Sequence, residues 1–180
     1  GIVVNTCTGY ICPGLSTYLI EALKLDPHIQ ACDLVGSGCS GAIPALQMGE
    51  NILKNKNRGV VLVVSVEICS ATFQMADDPS AIVSNALFSD GAACALLWKK
   101  PKGLKLVESK NYFLPKYREH IRYVYKNGTL YNQLSRELPQ IVKNNLSYFV
   151  TTFLKEQSLK LEDIDSWAIH NGGEKILNVI

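Results

Sequence analysis

The sequence predicts an α/β fold with a mainly parallel sheet and helices on both faces. Three observations predict it. Strand-like and helix-like segments alternate along the chain, the pattern of a helix-covered sheet. Val60 to Val66 is a near-continuous β-branched run, the mark of a strand covered on both faces. Val142, Leu146, Phe149, Val150, Phe153 and Leu154 recur at helical spacing behind Pro139. The 180 residues, 47% hydrophobic and 19% charged, can form a core that buries about 70% of the unfolded surface, which excludes a disordered chain.

Gly1 to Asn5 reads as a buried strand, followed by a loop of small and turn-forming residues from Thr6 to Gly14. Leu15 to Leu25 fits a helix that Asp26-Pro27 stops. Ala31 to Val35 is a second strand, with Asp33 the odd polar residue, placed either at an edge or on a bonding neighbour. From Cys39 to Lys54 a helix carries Ile43, Leu46 and Leu53 on one stripe. It is apolar or small on several sides, as in a helix enclosed between layers. Residues 51–58 are its solvated, basic end. After the Val60 strand, Glu67 to Ser89 is a long connection with a helix at Ala81 to Leu87, and such loops often carry function. Asp90-Gly91 turns into a strand, Ala92 to Trp98, and another strand is expected over Leu104 to Tyr112. Leu114 to Leu130 is basic and aromatic, a plain excursion or a flap over a pocket. Ser166 to His170 reads as a strand, and Asn171-Gly172-Gly173 breaks into a last helix. The first residues already read as strand and the last as a helix in mid-turn, so a piece of a longer protein is expected.

A net charge of +2, from 18 basic and 16 acidic residues, leaves no footprint for nucleic acid or an anionic membrane. The longest unbroken apolar run, Ala92 to Trp98, is too short for a membrane span, and the opening residues show no signal peptide. The cysteines at 7, 12, 32, 39, 69 and 94 form no C-x-x-C pair and only three histidines exist, so no zinc site is expected. Their apolar settings read as reduced, cytoplasmic thiols.

Chemistry concentrates in Val35-Gly36-Ser37-Gly38-Cys39-Ser40-Gly41-Ala42, a strand–turn–helix with a thiol at its centre. Flanking glycines allow a sharp turn. Unpaired backbone N–H groups and the positive end of a helix dipole would favour the thiolate, the nucleophilic form. An inert buried thiol is the plain rival. Gly36, Gly38 and Gly41 also spell a dinucleotide fingerprint, but the acidic residue expected about 20 positions later has no good candidate: Glu67 lies further on. His170, at the end of a strand, is the second reactive group, while His28 and His120 read as surface residues. A cysteine–histidine arrangement serves a cysteine hydrolase, with the imidazole as base. It serves equally an acyl-transferring condensing enzyme, with cysteine holding the acyl group and histidine polarising a second carbonyl.

The choice between them comes from a resemblance. Asn5-Thr6-Cys7-Thr8-Gly9 with Pro13-Gly14, Gly38-Cys39-Ser40-Gly41-Ala42 with Pro44-Ala45-Leu46, and Glu67 to Phe73 behind Val61 to Val66 are its first three motifs. Asn85 to Ala93 and Trp167 to Gly173 complete them. In this order they resemble the type III polyketide synthases of the thiolase superfamily: the chalcone and stilbene synthase group, with the bacterial alkylresorcinol and alkylpyrone synthases nearest. The resemblance implies a layered thiolase-like αβαβα fold. Residues 1–98 would belong to its N-terminal half and residues 99–180 would start its C-terminal half.

It also implies roles. Cys39 would accept a starter from acyl-CoA. His170, with an asparagine further on, would bind the thioester carbonyl of malonyl-CoA and stabilise the enolate left by decarboxylation. That enolate would attack the acyl group on Cys39. No metal or redox cofactor is implied. Phe88 would be a gatekeeping ring, and Thr8, Cys69 and Thr72 would line the cavity. Cys12 would reach a neighbouring subunit in a homodimer.

The departures are specific. Asn171 replaces a proline and Ser89 a glycine, and Cys69 stands where the plant enzymes carry threonine. Neither the downstream asparagine nor the upstream basic residues that hold CoA lie within this chain, so the piece alone is expected to be inactive. Two alternatives stay open: an initiating 3-oxoacyl-ACP synthase, which takes its acyl groups from a carrier protein, and a catalytically silent thiolase-fold partner subunit.

Overall fold

The computed structural model describes residues 1–55 and 59–180. Lys56, Asn57 and Arg58, the end of the basic turn expected at 51–58, lie outside the described residues. The elements in chain order are β1 (Ile2–Thr6), α1 (Leu15–Ala22), β2 (Ala31–Val35), α2 (Ala42–Lys54), β3 (Val60–Glu67), α3 (Pro79–Leu87), β4 (Gly91–Trp98), β5 (Ile121–Lys126), β6 (Thr129–Leu134), α4 (Leu138–Glu156) and α5 (Glu174–Leu177). Two compact units emerge, Gly1–Thr72 with Ser89–Ser109, and Phe73–Phe88 with Lys110–Ile180. The two alternate along the sequence, and in the second α3 packs on β6: Ser80 Oγ accepts the Leu134 N–H at 2.6 Å.

The first unit is built on a sheet of order β2-β1-β3-β4. β1 runs parallel to β2 and to β3, and β4 closes the edge antiparallel to β3. Ile2, Val3 and Val4 are completely buried, so β1 is covered on both faces, as its apolar run requires. Val3, Val61 and Val63 join Ala45, Ile52 and Leu53 of α2 in one cluster, with Leu34, Leu46 and Leu97 around it. Alternation along the strand puts Ile2 and Val4 on the face away from α2. Each such side chain contributes about 1.5–3 kcal/mol on burial.

α2 turns Ala45, Gly49 and Ile52 to the sheet, at i, i+4 and i+7. A Cβ on Gly49 would lie 2.8 Å from both the Leu97 and Val63 side chains, so the helix sits close. Ile43 and Met48 remain exposed, so within these residues α2 covers one face of the sheet and a second layer against it is not among them. Its small residues mark the contact stripe better than its large ones. Asp33 is explained: on the edge strand β2, its carboxylate takes the Ser16 N–H at 3.0 Å and the Ser16 hydroxyl, tying the start of α1 to the sheet.

In the second unit, Asp78 caps α3 by accepting the Ala81 N–H at 3.0 Å. The segment 114–130, expected as an excursion or flap, instead enters a hairpin of β5 and β6. The hairpin turns at Asn127-Gly128, with φ of 53° and 80°, the left-handed pair that favours Asn-Gly. Tyr112 stacks on Phe149 of α4 at 5.5 Å. Leu104 to Tyr112 and Ser166 to His170, both expected as strands, belong to no strand among the described residues. Alternating apolar residues specify a face, but a strand forms only with a neighbour for its N–H and C=O groups.

Candidate active site

The parallel strands of the first unit bring their carboxyl ends to one edge, where open α/β sheets place ligands. The Thr6–Gly9 loop leaves β1, the Gly36–Gly41 turn leaves β2, and the Cys69–Thr72 turn follows β3. Cys39 sits in a 3-10 turn, Gly38–Ser40, immediately ahead of α2. Gly36 and Gly38 reach it with φ of 80° and 58°, backbone that only glycine adopts freely. Gly41 is needed for another reason. A Cβ there would lie 2.5 Å from Asn5 Nδ2, and Asn5 is buried, holding the Ser65 hydroxyl at 2.5 Å. The turn is thus seated directly on β1.

Glu67, at the end of β3, organises this edge. Its carboxylate accepts the Cys7 N–H at 3.0 and 3.2 Å, the Cys7 thiol at 3.3 Å, the Thr8 N–H at 3.1 Å and the Thr8 hydroxyl at 2.6 Å. Thr8 Oγ1 in turn accepts the Ile68 N–H at 2.7 Å. On the far side, Asp90 holds the Ser70 N–H at 2.8 Å and the Ser70 hydroxyl at 2.7 Å, which fixes the Cys69–Thr72 turn. The Ser70 hydroxyl, then its N–H, keeps the Asp90 carboxyl below its ordinary range.

This edge changes the expected thiol chemistry. Cys39 is exposed, yet partial burial of its sulfur raises the thiol above its ordinary value and the Glu67 carboxylate raises it further. A backbone hydrogen bond from its own residue opposes them and does not win. The thiolate expected from a helix N-terminus is therefore not favoured here: a three-residue 3-10 turn intervenes and a carboxylate is near. Cys69 is raised likewise, by burial first, then by Glu67 and Asp90. The dinucleotide reading also ends here, since Glu67, its nearest ribose ligand, is occupied by donors of its own chain.

Among the expected site residues, Thr8, Cys39 and Cys69 are therefore gathered around Glu67. Thr72 closes the Cys69 turn through its hydroxyl to the Cys69 carbonyl at 3.0 Å. Cys12 is exposed in the loop ahead of α1. Phe88 and His170 belong to the second unit. Phe88 ends α3, its N–H on the Ser84 carbonyl at 2.9 Å. His170 is exposed, its carbonyl accepting the Gly172 N–H at 3.0 Å. Gly173, with φ of 102°, would place a Cβ 3.4 Å from Leu87, so the loop after His170 lies against the end of α3. Sequence reasoning missed Cys7 and Glu67 as a pair. The available signal was a carboxylate ending an otherwise apolar parallel strand, where a charge requires partners. Among the described residues, no three metal-ligating side chains are placed to hold an ion, and no helix is long and apolar enough to cross a membrane.

The alpha-pyrone synthesis polyketide synthase-like protein of Mycobacterium tuberculosis is 31% identical over 98% of this chain and 47% of its own length. PKS-I of the brown alga Ectocarpus siliculosus superposes with a TM-score of 0.90 at 26% identity, over 99% of this chain and 48% of that one. The tetrahydroxynaphthalene synthase of Streptomyces coelicolor A3(2), a bacterial type III polyketide synthase, shares the fold with a TM-score of 0.90 at 24% identity, over 99% and 51%. The chain thus spans about half the length of the curated relatives it matches. Residues 1–154 match the sequence model described as FAE1/Type III polyketide synthase-like protein, and the chain belongs to that family.

Proposed function

We propose that the complete protein is an acyltransferase that builds a polyketide by decarboxylative condensation. Cys39 takes a starter acyl group: its sulfur attacks the thioester carbonyl of an acyl-CoA, and the CoA thiol leaves. Malonyl-CoA loses carbon dioxide, and the resulting enolate attacks the acyl carbonyl, releasing Cys39. The observation that carries this reading is the seat of Cys39: a glycine turn at the carboxyl edge of the parallel sheet, in a chain of this family. Because burial and Glu67 hold the thiol up, acyl transfer needs a base to take its proton, and His170 is the candidate for that part in the complete protein. His170 also polarises the malonyl thioester, with an asparagine from outside these residues.

Thr8, Cys69, Thr72 and Phe88 shape the cavity, and Cys12 meets a second copy in a homodimer. Residues 1–98 and 99–180 are parts of the two halves of the thiolase-like fold. The chemistry requires no metal or redox cofactor, since loss of carbon dioxide drives carbon–carbon bond formation, and it belongs in the cytoplasm with its CoA substrates. The relative named for alpha-pyrone synthesis makes pyrones the product class to look for.

The test is incubation of the complete protein with long-chain acyl-CoA and malonyl-CoA, with products read by mass spectrometry and Cys39→Ala alongside. Extended pyrone or resorcinol products that vanish in the variant are expected. An acyl adduct that extends only with a carrier protein would overturn the CoA-based reading. A folded protein that takes no acyl group would be a silent family member.

A further inference from the structure

Cys7 is a second thiol on the sheet edge that carries Cys39, and the condensation has no use for it. It follows β1 directly, and its sulfur and N–H both point at the Glu67 carboxylate. Thr8 adds its N–H and its hydroxyl to the same carboxylate. Two consecutive residues thus supply four donor groups to one anion, a nest closed by the Ile68 N–H on Thr8 Oγ1. An ionised carboxylate only accepts, so every group in the nest must keep its proton. Ionising Cys7 would set two negative charges 3.3 Å apart and strip the carboxylate of a donor.

The groups facing these thiols offer no relief. Cys7 feels the charge of Glu67, Cys39 and Cys69; Cys39 that of Glu67; Cys69 that of Glu67, Asp90 and Cys39. Each is acidic or neutral. We propose that Glu67 is a positioning residue that locks Cys7 as a hydrogen-bond donor and so removes it from competition with Cys39 for the acyl group. Burial first and the Glu67 hydrogen bond next push the Cys7 thiol up to about 12, in keeping with the lock. A thiol that does not ionise does not attack a thioester, because the thiolate is the nucleophile. The lock bears on catalysis only if Cys39 is the acyl acceptor as proposed above, whereas its physical content is the proton on Cys7.

The experiment is timed iodoacetamide labelling of the complete protein from about pH 7 to about pH 10, with each cysteine read by peptide mass spectrometry. Cys7 is expected to lag Cys39 by about tenfold or more throughout. In Glu67→Gln the Cys7 rate should rise about tenfold and its pH profile should move down. Cys7 labelling as fast as Cys39 overturns the proposal, and so does a folded Glu67→Gln protein whose Cys7 profile has not moved. Should that variant not fold, carbon-13 cysteine NMR of the unaltered protein reads the same proton: a Cys7 midpoint at or below about 9 overturns the lock, and none below about 10 supports it. Polyketide product formed while Cys7 labels freely would sink the lock and leave the function standing. A protected Cys7 in a protein that takes no acyl group would do the reverse.

Discussion

The sheet edge around Cys39 and the loop around His170 are built in opposite ways. The cysteine turn stands on parallel strands with a buried core beneath it, and its neighbours are tied across the sheet by Asn5, Glu67 and Asp90. The histidine follows chain that belongs to no strand among the described residues, and its side chain is exposed. Parallel pairing and a cross-strand carboxylate fix the first region within its own unit. The second has its motif, Trp167 to Gly173, outside any sheet among the described residues. A motif therefore tells which residue types serve a chemistry, while local packing tells how firmly this chain holds them.

The largest effect expected from this contrast lies at the cysteine. Cys39→Ala in the complete protein should cut product formation by about a thousandfold or more, since no other group takes over a lost nucleophile. Steady-state turnover with acyl-CoA and malonyl-CoA checks it. His170→Gln should cost less, about a hundredfold, because an amide still donates to a carbonyl oxygen. Acyl transfer to Cys39 measured apart from extension would show which step depends on the imidazole.

Stability should divide the same way. Ile2→Ala, at a fully buried position, should cost about 2–5 kcal/mol in denaturant unfolding. Leu104→Ala, at a fully exposed position outside the strands and helices, should stay within about 0.5 kcal/mol. A large loss at Leu104 in the complete protein would show that a strand from outside these residues pairs with that segment.

The expected helices and the first four strands were legible because each carries its own period, from the β-branched Val60 run to the helical spacing behind Pro139. The β5–β6 hairpin was equally readable, since Asn127-Gly128 is a strong turn signal, but basic and aromatic residues around it masked the alternation. Leu104 to Tyr112 and Ser166 to His170 have strand patterns without partners among the described residues, and pairing is not written in a single segment. At the site, Cys39 was visible from its glycines. The direction of its titration was not, because that depends on Glu67, 28 residues away in sequence and brought in by strand order.

A further effect is expected on the pH dependence of stability. Folded Cys7 keeps its proton to about 12, against an ordinary value of 9.0. A raised folded pKa contributes stability that is intact below about 9 and is lost as pH climbs towards about 12. Cys7→Ser should flatten that decline, as seen by unfolding at stepped pH against the unaltered protein.

The most direct test of the whole account is to map the acyl-enzyme. The complete protein is treated with acyl-CoA alone, digested, and each cysteine peptide weighed. The account predicts the acyl mass on Cys39 and none on Cys7 or Cys69. An acyl group on Cys7 or Cys69 with Cys39 unmodified would contradict it.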